Sequence, residues 1–189
     1  MKIPAFPILP QDSSPAIPDN LGASAIEGGV ARSEALKTLI GQQPFFAGLS
    51  GHHLQRLTES AMEIQYESGQ SIFQEGSPAN RFYLILEGRV VLESAVEERG
   101  IFQLATLGPG DYLGWSWLFP PYLLNLSARA LEPTRTIFFY GTRLREQCEL
   151  DHDLGYQLML RIAEVVIHQL QVAQQRLKES NVTNNRSNR

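Results

Sequence analysis

Cysteine is almost absent: Cys148 stands alone among 189 residues. That excludes an internal disulfide and a cysteine-rich zinc site, and it fits a reducing compartment. Long apolar runs are missing too, since no stretch reaches the roughly 18 residues that a bilayer span requires. Pro4, Pro7 and Pro10 break any apolar signal helix near the N-terminus. Positive charge is in deficit, with 16 Lys and Arg against 20 Asp and Glu, a net charge of −4 and a pI near 5.6. That argues against a broadly basic nucleic-acid surface, while leaving room for a local patch within an acidic average. Hydrophobic residues make up 43% and charged residues 19%, enough for one domain with a substantial core. The expectation is a soluble, cytoplasmic protein.

Five of the eleven prolines fall within the first 18 residues. They remove helical and ladder hydrogen bonds, so residues 1–30 are expected to form a Pro-rich irregular arm. A helix is expected over Ser33–Ile40, closed by Gly41 and Pro44. A second should start at Ser50 as N-cap, with Leu54, Leu57 and Ala61 on one face. From Ile64 to Tyr140 the period shortens to two. The runs Ser71–Phe73, Phe82–Leu86, Val90–Leu92, Phe102–Ala105 and Thr136–Tyr140 are punctuated by Gly69, Gly76, Gly88, Gly100, Gly108, Gly110 and Gly114. Short strands at this spacing predict a mainly antiparallel sandwich or barrel with flanking helices, not a βαβ sheet.

After Gly141 the helical period returns, with a short helix around Arg143–Glu149 and a long one from about Asp151 to Lys178. The long helix carries two apolar stripes. Met159, Ala163, Val166, Leu170, Ala173 and Leu177 form one; Leu158, Ile162, Val165 and Val172 form the other, interrupted by Gln169. Two apolar faces call for two partners, the helix's own barrel and the same helix of a second copy, giving a homodimer. A single wide stripe buried once is the other reading. The polar tail 179–189 is expected to fray.

These segments resemble the cyclic-nucleotide-binding domain of the cAMP receptor protein family. Tyr66–Gly76 resembles the family's opening strands, Phe82–Val90 its hairpin centred on Glu87-Gly88, and Leu107–Gly114 the turn into its phosphate-binding cassette. The resemblance covers about residues 44–178 and implies a jelly-roll β-barrel followed by a long C-terminal helix, so the domain is drawn as 31–178. It also implies a ligand site. In the family a Gly-Glu pair opens the cassette and an Arg follows nine residues after the Glu. The Arg clamps the cyclic phosphate as a charged bidentate donor, amides at the start of a short helix face the same anion, and the Glu accepts from the ribose hydroxyl.

This chain keeps Gly114 but places Trp115 at the Glu position and Leu124 at the Arg position. The register is fixed by Arg129–Thr134, which resembles the strand leaving the cassette. Removing one partner of a buried charge pair costs about 2–5 kcal/mol, so loss of the Arg alone should weaken a phosphate ligand roughly 30- to 4,000-fold. The candidate ligand-contacting residues are Gly114, Trp115, Ser116, Trp117, Leu124, Asn125, Ser127 and Arg129. Arg129 is the candidate substitute clamp if its strand face turns inward. The aromatics Trp115, Trp117, Phe119 and Tyr122 around Pro120-Pro121 leave two readings open: a pocket for a flat or apolar effector, or a plug in the space a nucleotide would occupy. In the second case loss of Trp115 should cost about 3–5 kcal/mol.

Other chemistry finds little support. Metal-dependent jelly-roll enzymes need two or three His from barrel strands, and Ile64–Tyr140 has none. No cofactor, metal or catalytic set is expected, so the protein is not read as an enzyme. The helix-turn-helix reader of transcription regulators of this family needs roughly 60–70 residues, whereas eleven follow Lys178; direct DNA binding and membrane association are not expected. His52-His53 reads as a surface helix start, and His152 and His168 as ordinary helix residues. The expected function is a stand-alone regulatory domain, a ligand sensor or protein-interaction module with weak or no cAMP binding. A ligand-free scaffold dimer, and a true nucleotide binder with an unconventional cassette, are the alternatives.

Overall fold

Alternating side chains and glycine turns divide residues 61–140 into eight strands: β1 (Ala61–Tyr66), β2 (Ser71–Phe73), β3 (Arg81–Glu87), β4 (Val90–Val96), β5 (Gly100–Leu107), β6 (Tyr112–Leu113), β7 (Ser127–Ala130) and β8 (Thr134–Tyr140). The structure, a computed structural model, describes residues 25–96 and 100–187. All strand pairs are antiparallel and form two four-stranded sheets, β1-β8-β3-β6 and β2-β7-β4-β5. This is the expected jelly roll with flanking helices. Tight hairpins close it. At Gly88, φ is +85° and an added Cβ would lie 2.5 Å from the Pro133 carbonyl oxygen, so only glycine fits.

Strand β3 shows why the chain folds as two layers plus helices. Phe82, Tyr83, Leu84 and Ile85 are all buried, although a strand buried on one face would alternate. Phe82 and Leu84 face a core shared with Phe46, Ile137 and Phe139 and with the helices. Tyr83 and Ile85 face the barrel interior with Val90, Leu92, Ala128, Ala130 and Phe138. The first sheet is thus sandwiched, and its strands read as continuous apolar runs.

The helical lead-in comprises α1 (Ala25–Gly41), a 3-10 turn at Pro44–Phe46 and α2 (Gly51–Glu59). Of the arm expected over 1–30, residues 1–24 lie outside the described residues. The last six already belong to α1, because no proline follows Pro18 until Pro44. Ser50 caps α2, its Oγ accepting from the His53 amide at 3.1 Å. His53 departs from the surface role expected of it: it is buried, with Nε2 3.4 Å and 3.7 Å from the Asp151 and Asp153 carboxylates.

Helix α3 (Gly141–Leu150) turns at Asp151 into α4 (His152–Ser187). The Asp151 carboxylate accepts from the Leu154 amide at 3.1 Å and caps α4. The tail expected to fray beyond Lys178 continues the helix instead, since neither Gly nor Pro occurs there to stop it. Leu154, Leu158 and Ile162 are sunk in the helix-side core, each contributing about 1.5–3 kcal/mol by burial. Met159, Leu170 and Ile167 are exposed. The stripes do not divide cleanly: Val165 and Val166, one from each, pack against the helix-side core, while Met159, Leu170 and Val172 are exposed.

Candidate functional site

The connection from β6 to β7 is a short, heavily anchored excursion. It opens at Gly114, with φ +80°, where an added Cβ would lie 2.7 Å from the Arg81 carbonyl oxygen. The close approach and the left-handed backbone both demand glycine. A 3-10 helix follows at Trp115–Leu118, then a cis Pro120–Pro121 bond and Tyr122 at φ +58°. The chain returns alongside residues 76–79. The Ala79 amide donates to the Tyr122 carbonyl at 2.7 Å, the Leu124 amide to the Ser77 carbonyl at 2.9 Å, and the Gly76 amide to the Leu124 carbonyl at 2.8 Å.

Within this frame the candidate residues diverge. Trp117 is fully buried in the helix-side core beside Phe82 and Leu144, and Leu124 sits in the same core. Trp115 is half-buried at the edge of that core, and its indole N–H donates to Gln169 Oε1 on α4 at 3.3 Å. Ser116 is buried and Asn125 exposed. Ser127 and Arg129 lie on the face of β7 opposite Ala128 and Ala130, which point into the barrel. The Ser127 hydroxyl accepts from the Glu75 amide at 3.0 Å. Arg129 is engaged by Glu93 in a bidentate pair, Nε–Oε1 at 3.1 Å and Nη2–Oε2 at 2.7 Å. The candidate substitute clamp is thus held on the sheet's outer face. Neither tryptophan belongs to the barrel-interior cluster.

Three side chains to which the sequence assigned no role in the site make contacts in and beside the excursion. Arg145 on α3 donates from Nη1 to the Trp117 carbonyl at 2.6 Å, and its guanidinium stacks on Tyr122 with 4.7 Å to the ring centroid. Burial pulls its pKa below the ordinary arginine value. Gln169 receives the Trp115 indole, and its interruption of an apolar stripe was the signal for that role. Glu93 neutralises Arg129; a buried carboxylate in a strand foretells a cation without naming it. A cleft of about 520 Å³ lies elsewhere, between the Pro44–Phe46 turn and α4, lined by Phe45, Tyr112, Leu160, Arg161 and Glu164. Trp115, Leu124 and Ser127 are not among its walls.

A jelly roll whose β6–β7 excursion is a glycine turn plus a short 3-10 helix, set against a following helix pair, is the arrangement that the family comparison bears on. The sequence pattern of the family described as the cyclic nucleotide-binding domain matches residues 63–151, and the chain belongs to that family. A solved structure from Geobacter metallireducens GS-15, assigned to the cyclic nucleotide-binding proteins, is 33% identical with a TM-score of 0.64, covering 73% of this chain and 97% of that one. The CRP-like cAMP-activated global transcriptional regulator of Mycobacterium tuberculosis is 23% identical over 125 residues, 66% of this chain and 56% of that protein. The regulatory subunit of a cAMP-independent protein kinase A from Trypanosoma brucei shares the fold, at 19% identity and a TM-score of 0.64 over 79% of this chain and 51% of that one. Against two curated relatives, that regulator and a potassium channel protein of Rhodopseudomonas palustris, the chain spans from about a third to just over half of their length. Among the described residues no helix is long and apolar enough to cross a membrane.

Proposed function

We propose that this chain is a non-catalytic, cytoplasmic regulatory module of the cyclic-nucleotide-binding family that binds cAMP and cGMP only weakly and acts through the outward face of α4. One observation carries the reading. Leu124, at the position of the family's phosphate-clamping arginine, is an aliphatic side chain sunk in the helix-side core and pinned by backbone bonds to Ser77 and Gly76. Arg129, the nearest substitute in sequence, is already satisfied by Glu93. A cyclic phosphate entering beside Gly114 would meet neither cation. With the clamp missing, dissociation constants above about 100 µM are expected for both nucleotides. Isothermal titration of the purified chain tests this; low-micromolar binding of either nucleotide overturns it.

Coupling from the excursion to α4 runs through Trp115–Gln169, and coupling to α3 through Arg145–Trp117. An effector that moves the excursion would therefore bias the helix pair, shifting a pre-existing equilibrium by its differential affinity. The same two contacts favour a second reading, a scaffold that needs no ligand, because protein side chains alone complete the latch. The Trypanosoma relative, described as cAMP-independent, indicates that the fold serves regulation without that nucleotide. In either reading the exposed stripe of α4 pairs with that of a second copy.

A further inference from the structure

The cleft of about 520 Å³ between the Pro44–Phe46 turn and α4 has a composition of its own. Small-molecule sites occupy about 300–1,000 Å³ and are mostly apolar, with a few placed polar groups. Here the walls are Phe45 and Tyr112, with ring centroids 4.4 Å apart, and Leu160 and Val165 of α4. Phe45 and Tyr112 are buried members of the helix-side core, so packing fixes that wall. Tyr112 also stands two residues ahead of Gly114, where the β6–β7 excursion begins.

The rim carries one charge of each sign. Arg161 and Glu164 both border the cleft, three residues apart on α4, a spacing that sets them on one helix face. Arg161 is held in place by neutral oxygens. Its Nη1 donates to the Gln157 carbonyl at 3.0 Å and to Gln157 Oε1 at 2.7 Å. Its Nη2 donates to the carbonyl of Ala47, on the turn side of the cleft, at 2.8 Å. Nε–H and the second Nη2 proton stay outside these bonds. Nε and Nη2 form the edge by which Arg129 grips the Glu93 carboxylate in this same chain. A prepositioned guanidinium edge of this kind suits a planar carboxylate. Glu164, exposed beside it, repels a simple anion and attracts an ammonium. An apolar body carrying both groups on one carbon matches the walls and both charges.

We propose that this cleft binds a free amino acid with an apolar side chain. Its carboxylate lies on Arg161, its ammonium faces Glu164, and its side chain fills the space between Phe45, Tyr112 and Leu160. The proposal rests on the effector reading above and supplies the effector's chemical class. Since Arg161 already joins α4 to Ala47, the ligand would brace α4 against the turn through the same side chain.

The test follows the methyl resonances of Leu160 and Val165 in the full-length protein during titration with L-phenylalanine and, separately, L-leucine. Saturable shifts with either amino acid support the site. Phenylacetate lacks the ammonium and phenethylamine lacks the carboxylate. Each should bind roughly tenfold or more weakly than L-phenylalanine, the worth of one charged hydrogen bond. Arg161→Gln should weaken L-phenylalanine by a similar factor and leave phenethylamine unchanged. Glu164→Gln should weaken L-phenylalanine and leave phenylacetate no weaker. No saturable shift with either amino acid overturns the proposal, as does equal binding of phenylacetate and L-phenylalanine. Shifts that follow protein concentration and not added amino acid give the cleft to a second copy, and overturn it as well. Should Arg161→Gln loosen the turn, Glu164→Gln, at an exposed position, decides. Titration with cAMP separates this site from the reading it rests on. Low-micromolar cAMP binding with the amino-acid shifts intact defeats the weak-nucleotide reading and keeps the site. Weak cAMP binding without amino-acid shifts does the reverse.

Discussion

Residue by residue, the excursion turns on which of two tryptophans is structural. Trp117 is fully enclosed, and its indole N–H has no hydrogen-bond partner. Trp117→Ala should therefore cost about 3–5 kcal/mol in denaturant unfolding, while Trp117→Phe should be milder because it removes an unsatisfied donor along with volume. Trp115 is half-buried and bonded to Gln169, so Trp115→Ala should cost only about 1–2 kcal/mol. Equal losses at the two sites would show that the excursion unfolds as one unit. The aromatic run was visible in the sequence, but its members could not be ranked, since a 3-10 helix of four residues has too few turns for a period to show. Leu124 was legible as the wrong residue for a clamp. That its side chain enters the helix-side core was not, because that depends on pairing with residues 76–79.

Among the elements, strands were easier to read than helix ends. Alternation and glycine turns located β2, β3, β4, β5 and β8; β6, two residues long, offers no period, and β1 begins at Ala61, ahead of the expected Ile64. Both long helices exceed their expected spans, because stop signals end a helix and polar residues alone do not. The start of α4 is chemically explicit. The Leu154 amide holds the Asp151 carboxyl below its ordinary value of 3.8, with the His53, Arg56 and His52 charges adding to the effect. A lowered folded-state pKa stabilises the native protein above the unfolded value, and that contribution disappears as pH falls through the folded value. Thermal unfolding should thus show a decline in Tm beginning below about pH 4. Asp151→Ala should start from a lower Tm at neutral pH and lose less on acidification. Parallel acid profiles for the two proteins would remove Asp151 from the acid response.

For the whole molecule, the proposed homodimer rests on the exposed apolar residues of α4. Met159, Leu170 and Ile167 are large apolar side chains facing away from the barrel, and an isologous pairing of two such helices would cover them. Light scattering of the wild type at tens of micromolar should report a dimer, and Leu170→Glu a folded monomer with an unchanged circular dichroism spectrum. A wild type already monomeric there would show that the stripe is tolerated in water. A second consequence lies in length. Helix α4 runs 36 residues, about 54 Å at 1.5 Å per residue, yet among the described side chains its last fully buried residue is Ile162, eleven positions in, with Val165 and Val166 packed on the core and Gln169 held by Trp115 a little further on. What extends beyond is a lever with a short grip and a long arm. A tilt of about 10° at the Asp151 corner would sweep the far end by roughly 9 Å on that rise per residue, turning a rearrangement of one side chain in the barrel into a displacement the width of a neighbouring helix.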